Sequence, residues 1–284
     1  MKIPKRIQPL VDDGLVDEVI SRLMSGKEAD VYVVRSHGQI RCAKVYKEAA
    51  QRSFKKAVNY QEGRKVRNTR RGRAMEKGSK YGRKQQEASW QNAEIEALEK
   101  LKNAQVRVPE TYGCLDGVLL MELITDENGD VAPRLGDVTM PAEQAIEDHS
   151  IIMTYIMRML CAGIVHGDLS EFNVLVDQYG PVIIDLPQAV DAAANNHAKS
   201  MLIRDVDNMT NYFGLFAPDL LKSHYAQEMW ELYENGQLTI ETELTGKFKL
   251  DTHSADVDSV MDEIKAIIAE ESARQERLNA LEEE

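Results

Sequence analysis

Between His166 and Asp185 the chain reads HGDLSEFNVLVDQYGPVIID. Two runs rich in β-branched residues, Asn173–Val176 and Val182–Asp185, flank Tyr179-Gly180, which predicts a short hairpin. The residues before it, His166 to Phe172, follow neither a helical nor a strand period and read as a loop. Upstream, Pro141 opens a helix whose broad apolar face carries Ile151, Ile152, Tyr155, Ile156, Met159 and Leu160, and Gly163 stops it. A buried helix therefore delivers a polar loop, and the loop hands over to a hairpin that ends on a carboxylate.

The polar residues of this stretch define a chemistry. Asp168 and Asn173 stand five positions apart on the loop, and Asp185 lies seventeen residues beyond Asp168. Phosphoryl transfer needs a carboxylate beside the attacking oxygen and oxygen ligands for Mg²⁺, which takes carboxylate, amide and phosphate oxygens. The order His-x-Asp-x-x-x-x-Asn followed by a metal-binding Asp is the arrangement protein kinases use. A hairpin whose polar residues merely serve turns is the weaker explanation.

Working outward, GKEADVYVVRSHGQIRCAKVYK (26–47) reads as a hairpin around His37-Gly38, preceded by the small-residue loop Ser25-Gly26-Lys27-Glu28-Ala29. Lys44 sits mid-strand between apolar neighbours, where an unpaired ammonium is costly. A phosphate-gripping lysine paired with a helix carboxylate resolves that cost; a solvated strand face is the second reading. Ser89 caps a predicted helix to about Lys102 with Ile95, Leu98 and Leu101 on its apolar face. Glu94 on that helix is the favoured partner for Lys44, with Glu96 and Glu99 as rivals. Two further strands, Val106–Tyr112 and Val118–Leu123, surround Asp116-Gly117. Residues Pro9 to Leu23 read as a short helix and a lead-in. From Asn196 onward the pattern is helical to the end, with Ala217-Pro218-Asp219 as a helix start and an acidic last helix from Val257 to about Leu281.

The 284 residues carry 35 Lys and Arg against 47 Asp and Glu, a net charge of −12. That average hides an asymmetry: Arg52 to Lys84 holds thirteen bases and two acids, while Asp251 to Glu284 holds eleven acids and three bases. The basic segment is a candidate for polyanion contact, and a solvated loop docking on the acidic remainder is its bland alternative. Three cysteines give no disulfide framework and no Cys-x-x-Cys metal pair, which fits a cytoplasmic protein. No secretory h-region opens the sequence, and its most apolar stretch is too short to span a bilayer.

The motifs together are specific. SGKEADVY (25–32), AKVYK (43–47), APRL (132–135), HGDLSEFN (166–173), IID (183–185) and Arg204-Asp205 resemble, in order, the RIO family of atypical serine/threonine protein kinases. The resemblance implies an α+β, two-lobed kinase fold: an N-terminal antiparallel sheet lobe with one main helix (19–124, interrupted by a basic insertion over 52–88) and a mainly helical lobe (125–250). A lead-in (1–18) and the acidic tail (251–284) flank them. It further implies ATP between the lobes, with Mg²⁺ or Mn²⁺, and Met121 to Ile124 as hinge. By position Asp168 is similar to the catalytic base, Asn173 and Asp185 to the metal ligands, and Lys44 with Glu94 to the phosphate lysine and its helix partner. Ser25, Gly26, Lys27 and Glu28 fall in the phosphate loop, and Met121, Glu122 and Ile124 in the hinge. The family resemblance also implies an aspartyl phosphate at the position of Asp185 and an ATPase switch on ribosomal precursors, while the positive charge of segment 52–84 makes it the candidate contact for RNA or a ribosomal precursor. His-Gly-Asp also resembles aminoglycoside and choline phosphotransferases, an alternative that Ser170-Glu171-Phe172 weighs against. Asp205 reads either as a brace for the catalytic loop or as a surface salt bridge.

Overall fold

The computed structural model describes residues 3–26, 29–47 and 93–248. The chain divides into a unit ending at Lys247 and a second, Phe248–Glu284, of which only Phe248 is among the described residues. Lys27, Glu28, the basic stretch 52–84, Ser89 and the acidic tail therefore lie outside the description.

The first unit opens with a one-turn helix α1 (Gln8–Asp12) and an antiparallel sheet of β1 (Glu18–Ser25), β2 (Ala29–Ser36), β3 (Gln39–Tyr46), β4 (Thr111–Leu115) and β5 (Val118–Glu122). The strand order is β1-β2-β3-β5-β4. His37-Gly38 and Asp116-Gly117 close the β2–β3 and β4–β5 hairpins, and all four residues have positive φ, the conformation that two-residue turns of right-twisted strands demand. The alternation of the strands splits the sheet into two faces. Tyr32, Val34, Ala43, Val45, Val118 and Leu120 pack with Ile7, the residue before α1, and with Leu10 of α1. Tyr46 and Leu119 point the other way and join Leu98 and Leu101 of α2 (93–103) in the main core.

That core continues into α3 (Ala142–Cys161), α4 (Ala198–Gly214) and α5 (Tyr225–Glu234). Between α3 and α4 run β6 (Ile164–Val165), the hairpin β7 (Val174–Asp177) and β8 (Gly180–Ile183), and β9 (Val190–Asp191). Pairing of β6 with β9 brings the chain that leaves Asp185 back beside the chain that enters His166.

Four expectations change. Residues 18–25 form a strand rather than a lead-in; register shifts between Val19 and Ser21 and between Arg22 and Met24 break the two-residue period that would have revealed it. The strand expected from Val106 begins only at Thr111, because 106–110 lies along the other lobe, where the Ile183 amide donates to the Arg107 carbonyl at 2.9 Å. Asp185 stands two residues past β8 rather than at a strand's last position. Helix does not run on from α5: residues 235–248 are turns and irregular chain, with Thr245 and Gly246 amides held by the Glu228 carboxylate. As expected, a helical turn follows Ala217, a 3₁₀ segment over Pro218–Lys222.

Candidate active site

A cleft of about 490 Å³ opens between the sheet and the helical lobe. Its roof is Leu23, Met24, Val31, Cys42 and Lys44; its back is Met121 to Ile124; its floor includes Arg134, Phe172, Asn173, Leu175 and Asp185. The walls are mostly apolar with a few convergent polar groups, the usual make-up of a small-molecule site.

Lys44 reaches this cleft because β3 turns Ala43 and Val45 toward α1 and so turns Lys44 the opposite way. Its Nζ donates to Glu94 Oε1 at 2.6 Å and to Asp185 Oδ1 at 2.7 Å, joining residues fifty and 141 positions away. Burial alone would depress the ammonium's pKa; the carboxylates of Asp185 and Glu94 overcome it and raise it well above the usual lysine value. Of the three glutamates on α2, Glu94 is buried while Glu96 and Glu99 are exposed. Tyr46, two residues on from Lys44 on the same face, donates its hydroxyl to Glu94 Oε2.

Asp185 takes a left-handed φ of +67°, a conformation that non-glycine residues adopt only where the surroundings impose it. The imposing contacts are local: the Ile184 amide donates to the Asn173 carbonyl at 3.0 Å, and the Ile184 carbonyl lies 3.2 Å from His166 Nε2. Lys44 is the chief cause that holds the Asp185 carboxyl below the ordinary carboxylate range, against burial, with His166 and Arg134 adding to it.

The loop itself is anchored from α4. Buried Asp205 accepts the Gly167 amide at 2.7 Å and the Leu169 amide at 3.0 Å; Arg204 donates to the Gly167 carbonyl, and Asn208 Nδ2 to the Leu169 carbonyl at 2.9 Å. Of the two readings of Asp205, the geometry is that of the brace. Asp168 then projects exposed from a fixed backbone, its amide on His166 Nδ1 at 3.3 Å. Asn173 Nδ2 donates to the Asp168 carbonyl at 2.9 Å, which leaves the Asn173 amide oxygen as an acceptor on the cleft floor.

The structure thus brings Lys44, Glu94, Asp185 and Asn173 together, with Asp168 on the adjoining loop. Ser25 and Gly26 follow cleft-lining Met24 but are engaged within their own loop: Ser25 Oγ donates to Asp30 at 2.7 Å, and Lys47 Nζ to the Gly26 carbonyl at 2.6 Å. Met121, Glu122 and Ile124 line the back of the cleft together with Leu123, the remaining residue of the expected hinge segment. Tyr46, Arg134 and Asp137 were also passed over as site residues. Tyr46 and Arg134 lie inside quoted motifs, a signal that could have singled them out.

As to a divalent cation, no group of three or more His, Cys, Asp or Glu side chains is placed to hold a metal ion among the described residues. Asp185 and the Asn173 amide oxygen form a sparse all-oxygen set. That suits Mg²⁺, which binds through one or two protein oxygens and fills its shell with water and phosphate.

This fold and site define the two-lobed architecture of kinases. A family profile described as "RIO domain" matches residues 30–226, more than half of the chain, and the protein belongs to the RIO family. It is 32% identical over 208 residues to the RIO-type serine/threonine-protein kinase Rio1 of Haloferax volcanii, covering 73% of this chain and 67% of that one. It is 31% identical over 202 residues to the human serine/threonine-protein kinase RIO1, covering 70% of this chain but 34% of the human one. Among solved structures it resembles the Rio2 kinase-ADP/Mg²⁺-phosphoaspartate complex from Chaetomium thermophilum, with a TM-score of 0.54, 19% identity, and coverage of 82% of this chain and 74% of that one. No helix among the described residues is long and apolar enough to cross a membrane.

Proposed function

We propose that the protein is an ATP- and Mg²⁺-dependent RIO-type serine/threonine protein kinase that also phosphorylates itself. The observation that carries this reading is the bridging of Glu94 and Asp185 by one buried lysine at the inner end of an apolar cleft. An ammonium already shared by two carboxylates is fixed in position, so it neutralises charge on a transferred phosphoryl group without rearranging first. Glu94 orients Lys44, and Tyr46 orients Glu94. Asp168, exposed on a braced loop, accepts the hydroxyl proton of the acceptor residue. Asn173 and Asp185 would hold Mg²⁺ (or Mn²⁺), which when bound supplies charge neutralisation at the phosphates. The apolar roof and back of the cleft receive the adenine. The family and its relatives favour this over a small-molecule phosphotransferase. The three cysteines are free, which fits action in the reducing cytoplasm.

The test uses the full chain, labelled ATP and Mg²⁺, with a generic protein acceptor. Wild type is expected to transfer label to serine or threonine, on the acceptor and on itself, and Asp168→Asn to lose ~10²-fold or more in turnover while still binding nucleotide. Full turnover in Asp168→Asn would remove that residue from the role of base. No heat on adding ATP and Mg²⁺ to wild type would refute the nucleotide site altogether. Mass spectrometry of the product, reading phosphate on a hydroxyl against phosphate on Asp185, decides whether an ATPase switch accompanies transfer.

A further inference from the structure

Arg134 is carried on a turn secured from several sides. The Gly136 amide donates to the Glu171 carbonyl at 3.0 Å, the Asp137 amide to the Arg134 carbonyl at 2.9 Å, and the Tyr212 hydroxyl to the Leu135 carbonyl. Arg134 also forms a β-bridge with Leu175. The turn lies flush against the catalytic loop: a Cβ added at Gly136 would stand 3.1 Å from Glu171 Cγ and 3.4 Å from the Phe172 ring. From this mount the half-buried side chain lines the cleft and crosses its mouth to the Met24 thioether on β1.

A thioether is a weak acceptor, and a guanidinium has five donors to place. Among the described residues Met24 is the one polar partner of the Arg134 guanidinium, and no ion pair joins it to Asp137 on its own turn or to Asp185 across the cleft. The other cation lining the cleft, Lys44, is already committed to two carboxylates. The field of Arg134 nevertheless reaches Asp185. An anion lying between the back of the cleft and Asp185 would therefore meet positive charge from the roof and from the floor, and the floor cation is the one with donors to spare.

We propose that Arg134 is a phosphate-recognition residue that exchanges the Met24 thioether for phosphate oxygens of the bound nucleotide and so makes the cleft selective for phosphorylated nucleosides. The proposal rests on the nucleotide-binding reading above and names a residue that decides which nucleosides are held. The planar fork suits two phosphate oxygens at once, which a lysine ammonium does not reproduce. Glu122 and Asp137, the other acids lining the cleft, disfavour an anion there, and this raises the value of a floor cation.

Calorimetric titration of the full chain with adenosine, ADP and ATP, each with Mg²⁺, tests it in wild type, Arg134→Lys and Arg134→Gln. Arg134→Gln is expected to weaken ADP and ATP by ~10–100-fold, the worth of charge-assisted hydrogen bonds, with adenosine changed by less than about twofold and Arg134→Lys in between. Parallel weakening of adenosine and ATP, or unchanged ATP affinity in both variants, overturns the proposal. Absence of ATP binding in wild type would instead overturn the kinase reading.

Discussion

On the helical side of the cleft the loop from His166 to Asn173 is fastened by hydrogen bonds aimed at its backbone from one helix, whereas on the sheet side Lys44 is fastened by charge. Asp205, Arg204 and Asn208 together engage two amides and two carbonyls of the loop. Lys44, Glu94 and Tyr46 instead form one buried cluster that opens to the cleft at Asp185, whose side chain is 46% exposed, with a single ammonium between two carboxylates. Backbone-directed bonds hold a geometry whatever the ligand does. A shared ammonium holds only as long as both carboxylates stay ionised and in place. The cleft thus pairs a floor set by the fold with a roof set by electrostatics.

Removing the ammonium is expected to have the largest effect. In Lys44→Met, Glu94 stays buried without its cation, and loss of one partner of a buried pair costs about 3–5 kcal/mol. Urea unfolding measures the loss, and phosphotransfer should fall with it. The pH dependence gives the sign. Because the folded Asp185 carboxyl lies below its ordinary 3.8, its stabilising contribution is present above that value and is lost as pH falls through the lowered one. Lys44→Met should lack that acid-limb loss. A variant as stable as wild type would show that charge does not hold the roof.

How much of this was legible depends on how far apart in the chain the partners lie. The stretch His166–Asp185 could be read almost completely, since its loop, hairpin and acids are local, and so could the turns at His37-Gly38 and Asp116-Gly117. Lys44 could be nominated because it broke an apolar strand pattern, and Glu94 because it precedes core-facing Ile95, yet three glutamates on one helix left the partner open until α2 turned Glu94 inward. The rest depends on packing. The bulges of β1 hide its period, Asp205 acts on amides 36 and 38 residues away, and Arg134 matters through a cleft that only folding creates. No local spacing encodes those meetings.

The backbone-held side has an acid-sensitive support of its own, which sharpens the contrast. His149 on α3 is buried against Phe213 and Tyr225, its Nε2 3.1 Å from Thr210 Oγ1 on α4, the helix that also carries Asp205. Burial lowers the imidazole pKa from 6.5 to about 4. A depressed pKa means that the unfolded state binds the extra proton first, so stability present above 6.5 is lost as pH falls toward 4, by about 3 kcal/mol at 1.36 kcal/mol per unit. Neighbouring Asp148, which burial pushes up, contributes in the opposite direction. The difference between wild type and His149→Gln in chemical unfolding from pH 7 to 4.5 isolates the imidazole, and parallel curves would refute its part.

The smallest effect returns to the sheet side and asks whether the charge cluster needs its phenol. Tyr46→Phe removes one hydrogen bond to Glu94 and keeps the ring that lies beside the Lys44 ammonium, 5.5 Å from its centroid. Glu94 is then left one bond short in a buried site, at a cost of about 1 kcal/mol. If Tyr46 positions Glu94, and through it Lys44, the loss should appear in kcat for phosphotransfer more than in KM for ATP, because the ammonium is needed most where phosphoryl charge builds up. A purely structural hydroxyl would lower the unfolding midpoint and leave kcat alone. A fall in kcat that outruns the stability loss would mark Tyr46 as the outermost member of the electrostatic roof.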